Sequence, residues 1–368
     1  MPVPLFDTET VLAPLRERIL ECIQEVIRGG HFILGPEVQA FERELAEYLG
    51  AAHVVGVANG TDALTIAARA LGIQPGDDVV LPAFTFYATA EAMASLGARP
   101  VFCDIDADTR NVTVDTVRAA LTPRTKAVVA VDLFGLPAPS SEIANAVGLP
   151  VIEDAAQAIG ASLDGRRAGT LGTVATFSFY PSKNLGAFGD GGAIATDDSD
   201  LAEQARALRF HGSRDKQSFE YVGYNSRLDE LQAAILRVLL PELDGWCDGR
   251  RAVAQAYADS GLADHVHVPQ MPPGAVPAWH LYVATHPQPD RLLATLKERG
   301  IGARAYYRTP LHRQAAMARY LPGPPESLDL PVTEELARTN LALPMSPALS
   351  LEQVSEVVAA VAFATALA

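Results

Sequence analysis

Cysteine is scarce and scattered in this chain. Only Cys22, Cys103 and Cys247 occur among 368 residues. None lies at metal-ligand or redox spacing from another, which argues against a disulfide framework and suits a reducing compartment. Basic residues are also in deficit, with 29 Lys and Arg against 44 Asp and Glu and a net charge of −15. That balance speaks against a broad basic face, so no nucleic-acid partner is expected, although one local anion pocket is compatible with it. No apolar run approaches the length of a bilayer span, and the opening MPVPLFDTET is neither basic nor followed by an apolar export core. The expectation is a cytoplasmic protein without membrane contact. Internal repeats and low-complexity tracts are missing too.

What is present is a large apolar complement in an alternating order. Between about 11 and 48, Leu, Ile and Val recur at helical spacing, broken by GGHFILGPE, so two helices flank a loop. Seven short apolar runs follow: HVVGVA, DVVLPAF, RPVFCDI, KAVVAVDLFG, LPVIED, TVATFSF and GGAIAT. Runs that are nearly continuous in hydrophobicity belong to strands buried on both faces, which predicts an α/β fold with a mostly parallel sheet between helices. Helical patterns occupy 198–210 and 227–260. Beyond the Pro-rich HVPQMPPGAVP the order becomes strand WHLYVATH, helix 290–299, strand IGARAYY and a helix from about 350. We therefore expect a large domain over 1–240 and a smaller α+β domain over 241–368.

The stretch FSFYPSKNLGAFGDGGAIAT, residues 177–196, sets one lysine ahead of Gly186, Gly189, Gly191 and Gly192. A phosphate-cradling P-loop has its lysine after the glycines, and a dinucleotide turn opens a helix where GAIAT reads as a strand, so neither motif fits. Upstream, VIEDAAQA ends an apolar strand in Glu153 and Asp154, with Gln157 three residues on. An acid there caps the next helix or faces the crevice in which open α/β sheets bind ligands. ANGTDAL sets Gly60 and Thr61 where a strand turns into a helix, a seat for an anion. A lysine for a Schiff base, an aspartate for a pyridinium and a helix N-terminus for a phosphate are together the requirements of pyridoxal 5′-phosphate. Ser178 adds a hydroxyl for the phosphate. Phe86 in PAFTFYAT either stacks on the ring or packs in the core.

These segments, with GPEVQAFERELAEYLG, GYNSRLDELQAAIL, HLYV, TPLHRQ and LPMSP in that order, resemble the DegT/StrS sugar aminotransferases among the fold-type I pyridoxal phosphate enzymes. The resemblance spans nearly the whole chain and implies a seven-stranded large domain. It implies Lys183 as the Schiff-base lysine, Asp154 as the partner of the ring nitrogen, Gln157 beside the ring hydroxyl and Phe86 on the ring face. Gly60, Thr61 and Ser178 would hold the phosphate. Asn225 would reach it from the other subunit of a homodimer. The run YPSKNLGAFGDGG is similar to that of nucleotide-linked 3-oxo-sugar aminotransferases, which implies L-glutamate as amino donor, pyridoxamine 5′-phosphate as the half-way form and an amino sugar as product. A 4-oxo sugar nucleotide or an inosose is the alternative acceptor, and a regulatory protein without turnover the alternative class. Dehydratase relatives lose the lysine that is present here. By the same comparison Tyr180, Lys216, Tyr224 and His312 fall at the diphosphate or hexose, against the plain reading of a solvated lysine and packed aromatics. Arg308 stands where many relatives have proline, a departure on the sugar side of the resemblance. No metal is expected: HVH at 265–267 has no carboxylate or cysteine near it in sequence. Asp104 and Asp106 read as strand-end and turn residues, and His211 as structural or at the mouth of the site.

Overall fold

The computed structural model describes residues 2–366. Five parallel strands come first: β1 (His53–Val57), β2 (Asp78–Pro82), β3 (Arg99–Cys103), β4 (Thr125–Val131) and β5 (Val151–Asp154). A short hairpin, β6 (Ser162–Leu163) and β7 (Arg166–Arg167), precedes β8 (Val174–Ser178) and β9 (Gly192–Thr196). The main sheet has seven strands in the order β1-β9-β8-β5-β4-β2-β3. Only β9 runs against its neighbours, so the carboxyl ends of β1, β2, β5 and β8 share one edge with the start of β9.

Successive residues of the strands divide between two cores, as a period of two requires. Val55, Val57, Val174 and Ile194 join one apolar cluster, with Ile66 of the helix Gly60–Ala70. Val54, Ala175, Phe177 and Ala195 join the other, with Phe41 and Leu45 of the helix Pro36–Leu49. Each fully buried Phe or Leu contributes about 1.5–3 kcal/mol, so the sheet is held by helices on both faces.

The loop between the helices Arg16–Gly29 and Pro36–Leu49 is closed by one buried acid. Glu230 accepts hydrogen bonds from the N–H groups of Gly35, Glu37 and Val38 at 2.8, 2.9 and 3.0 Å. Amides at a helix start have no intrahelical acceptor, and Glu230 supplies one. The chain then runs through the helices Glu230–Leu239 and Leu243–Asp259, joined by a 3₁₀ turn at Pro241. Strand β10 (Ala275–Val276) pairs with β6, while β11 (Tyr282–Thr285) and β12 (Asn340–Leu343) form an antiparallel pair. These two strands, the helix Leu351–Ala366 and the helix Pro289–Glu298 enclose a third cluster. Val3 belongs to it, bonded to Gly300 and Gly302, so the first residues pack with the C-terminal part.

The expected strand over IGARAYY is not formed. Ile301 and Arg304 make isolated bridges to Val3 and Ala342. The Tyr306 N–H donates to the Asn340 side chain at 2.6 Å instead of continuing a ladder. Leaving the sheet there carries Tyr307 in among Phe84, Phe86 and Phe134.

Replacing Glu230 by Ala should cost about 3 kcal/mol, since one buried and two partly buried amides lose their acceptor. Denaturant unfolding with a wild-type midpoint in Glu230→Ala would show that water serves those amides equally well.

Candidate active site

The shared edge of β1, β5, β8 and β9 collects the chemistry. After β1 the chain turns at Asn59, whose side chain accepts the Asp62 N–H at 2.8 Å and caps the helix Gly60–Ala70. Gly60 and Thr61 open that helix, where first-turn amides have no intrahelical acceptor. A Cβ on Gly60 would lie 2.8 Å from Cβ of Ser178, and one on Gly192 would lie 2.5 Å from the Asn59 carbonyl carbon. Both glycines thus permit a close approach that presses the helix start against the end of β8 and the start of β9, with the Ser178 hydroxyl beside it. Free amides, a hydroxyl and a positive helix end suit a phosphate.

Asp154, at the end of β5, is buried. Its Oδ2 accepts from the Thr89 hydroxyl at 3.0 Å and its Oδ1 from the Ala156 N–H at 3.3 Å. Turns follow it rather than a helix, so the capping role has no object here. Burial raises its pKa, opposed by the Thr89 bond, the Ala156 amide and the charge of Lys183. Its neighbour Glu153 points the other way and accepts from the N–H groups of Gly169, Leu171 and Gly172 at 2.6, 2.7 and 2.9 Å.

Lys183 sits on a loop folded back on itself. Phe179 receives the Ala187 N–H and gives its own to Gly191, both at 2.8 Å, and the Lys183 N–H donates to Tyr180 at 2.8 Å. A Cβ on Gly186 would fall 2.6 Å from the Pro181 carbonyl oxygen, so the turn requires glycine there. The Asn184 amide donates to the Ala278 carbonyl at 2.8 Å and ties the loop to the C-terminal part. The ammonium of Lys183 lies deep: burial brings its pKa down to about 8, with Asp154 the opposing influence. Burial first, then the charges of Lys183 and Arg250, hold the His280 imidazole neutral by lowering its pKa well below the ordinary value. Lys183, Asn184 and Arg250 also line a cleft closed by Phe6, Asp7 and Thr8.

Phe86 keeps 56% of its surface exposed, so it presents a ring face rather than packing in the core. Gln157 is buried, its Oε1 accepting from the Phe134 N–H at 2.9 Å and its Nε2 donating to the Tyr307 hydroxyl at 3.2 Å. Asn225 is exposed beside Ser226, which accepts the Ala58 N–H at 3.1 Å. Acid for the ring, lysine, aromatic face and phosphate seat agree in chemistry with pyridoxal 5′-phosphate.

A model of the DegT/DnrJ/EryC1/StrS aminotransferase family matches residues 14–362. The chain belongs to that family. It is 46% identical to a pleiotropic regulatory protein of Geobacillus stearothermophilus, over 98% of each chain. It is 44% identical to the dTDP-3-amino-3,4,6-trideoxy-alpha-D-glucose transaminase of Streptomyces venezuelae, over 98% of this chain and 95% of the relative. DesV of S. venezuelae, solved with a ketimine intermediate, superposes with a TM-score of 0.94 at 43% identity, over 99% of this chain and 98% of that one. The aminotransferase uses pyridoxal phosphate, in keeping with the residues gathered at the sheet edge.

The sugar-side residues are less uniform. Tyr180 is 56% exposed and Tyr224 half-buried. Lys216 lies 4.8 Å over the Phe210 ring, in a left-handed conformation with φ of 60°. His312, expected at the diphosphate or hexose, is instead buried: it packs toward Phe102 and bonds to Glu334 at 2.7 Å. Its Nδ1 has no partner among the described residues. Arg308 turns outward, bonding Asp290 and the Arg338 carbonyl, and thus braces two helices. Asp104 accepts the Val332 and Thr333 N–H groups at a helix start, and Asp106 closes a turn through Thr109. His267 does have a carboxylate near it, Asp108 at 3.9 Å, although no group of three metal-binding side chains occurs among the described residues. Thr89 and Tyr307 were not foreseen. Thr89 lies one helical turn after Phe86, a signal that FTFYAT contains, whereas the strand reading hid Tyr307.

Labelling of the cofactor-free protein with a small amine-specific reagent should modify Lys183 with a midpoint near pH 8. Asp154→Asn should move that midpoint lower, because Asp154 is what favours the charged amine. An unchanged or higher midpoint would mean that the two side chains are not electrostatically linked.

Proposed function

We propose that this aminotransferase moves the amino group of L-glutamate to a nucleotide-linked 3-oxo sugar of the dTDP-3-oxo-6-deoxyhexose kind, as a cytoplasmic homodimer. The half-buried Lys183 and the buried Asp154 at the sheet edge carry the reading, in a chain whose relatives include a 3-amino-sugar transaminase. Pyridoxal phosphate supplies an electron sink once its ring nitrogen is protonated. Asp154 holds that charge. Lys183 would carry the cofactor and, as a free amine, would take the proton from the donor's α carbon; a pKa of about 8 leaves it neutral often enough to act as a base. Gly60, Thr61 and Ser178 would hold the phosphate, Phe86 would cover the ring and Gln157 would stand beside the ring hydroxyl. In the second half of the reaction Lys183 would move the proton in the reverse sense, as the keto sugar takes up the amino group. Tyr180, Lys216 and Tyr224 are the local groups for a sugar diphosphate on an otherwise acidic protein.

Exposed apolar side chains support the homodimer. Phe32, Ile33, Phe188, Phe219 and Val222 are each at least 48% exposed. The first three surround the start of the helix Glu230–Leu239, through Glu230, Asp229 and Gln232. A surface of that kind suits a second copy, across which Asn225 would reach the partner's phosphate. The presence of both Lys183 and Asp154 favours turnover over a purely regulatory role.

Borohydride should fix the yellow cofactor onto Lys183, and peptide mapping to any other lysine would end this reading. The pyridoxamine phosphate form, offered dTDP- and UDP-linked 3-oxo and 4-oxo sugars and an inosose, should regain its yellow band fastest with a 3-oxo sugar. Asp154→Asn should bind cofactor yet slow turnover about 100-fold, the loss of about 3 kcal/mol of charge stabilisation. Refolding Lys183→Ala with Asn225→Ala should return roughly a quarter of wild-type activity: about half the dimers are mixed, each with one intact site of two. No activity above the parent variants, with mixed dimers present, would place Asn225 outside the partner's site.

A further inference from the structure

Gln157 and Tyr307 leave two hydrogen-bond donors without an acceptor in the same place. The Gln157 carbonyl oxygen is committed to the Phe134 N–H at 2.9 Å, which fixes the orientation of the amide and turns Nε2 toward Tyr307. One Nε2 proton goes to the Tyr307 oxygen at 3.2 Å, and the other is uncommitted. The Tyr307 oxygen accepts that bond, so its own O–H points elsewhere, and among the described residues it has no acceptor within hydrogen-bond distance. The ring cannot swing away to find one. It is held between Phe134, stacked at 6.4 Å, and Phe84 and Phe86, each at 6.1 Å. Asp154 lies close enough to influence the hydroxyl, and burial raises the Tyr307 pKa, so the hydroxyl stays a donor across the working range. Both donors are therefore free to meet an oxygen of a ligand arriving there.

We propose that Tyr307, delivered from the C-terminal part of the chain, donates a hydrogen bond to the ring oxygen of bound pyridoxal phosphate, beside Gln157. This rests on the cofactor reading above. An ionised ring oxygen is the best acceptor for two converging donors, and a charged acceptor about doubles the strength of each bond. The consequence is electronic as well as positional. The ring oxygen shares a proton with the nitrogen through which Lys183 is attached. When that proton leaves, the oxygen carries its full charge and relies on the protein's donors. Tyr307 therefore favours the deprotonated state, and removing its hydroxyl makes the proton harder to lose.

The test is an absorbance titration of cofactor-loaded protein, which reads the proton directly and not turnover. Tyr307→Phe, which keeps the ring between its aromatic neighbours, should move the midpoint of the visible band up by about one pH unit, roughly a tenfold change in proton affinity. Should that variant fold poorly, 3-fluorotyrosine at position 307 keeps the shape, donates more strongly and should move the midpoint down. A midpoint that stays at the wild-type value in the folded variant overturns the proposal. If in addition the KM for the sugar rises, the hydroxyl faces the substrate instead. Wild-type protein that shows no reducible visible band would overturn the cofactor reading and this proposal together, and an unmoved band in a yellow protein would overturn this proposal alone.

Discussion

Burial presses on Asp154 and Lys183 in opposite chemical directions toward the same result. Each would be neutral alone in a dry site, the acid by gaining a proton and the amine by losing one. Each also opposes that tendency in the other. The balance leaves a carboxylate able to hold a cation and an amine able to part with its proton, which is the condition for the chemistry at this edge. The surrounding structure serves that balance: the Thr89 hydroxyl and the Ala156 amide steady the acid, and the folded-back loop from Phe179 to Ala187 holds the amine.

Much of this was legible in the sequence, and for definite reasons. Strands buried on both faces need continuous apolar runs, and all seven runs became strands of the main sheet. Lys183, Asp154, Gly60 and Ser178 lie at strand ends or in the turns after them, so locating strands located them. Tyr307 was hidden because IGARAYY has the alternation of a strand and leaves the ladder only when Asn340 takes the Tyr306 N–H. The surroundings of His312 were hidden for a different reason. Its place in a motif said nothing about Glu334, a residue 22 positions away that bonds its Nε2. Arg308 likewise declared itself only through Asp290.

The two parts of the chain share apolar core. Leu281, Val283, Leu311 and Leu336 pack into the same cluster as the sheet strands and the helix Gly60–Ala70. The Asn184 bond to Ala278 adds a polar tie at the lysine loop itself. The position of Lys183 is therefore set from both sides, and the C-terminal part acts as a wall of the site as well as a lid over one face of the sheet.

Glu153 and Asp154 are adjacent acids with unrelated tasks, separated only by the alternation of a strand. One gathers the amides of a loop behind the sheet, and the other faces the site. Deleting or inserting one residue in β5 upstream of them would exchange their faces. An insertion would set Glu153 toward the site, a methylene longer than Asp154, and leave Ile152 facing the loop around Gly169; a deletion would set Asp154 against that loop and Ala155 toward the site. Change by substitution is open to this strand, whereas change in its length is closed.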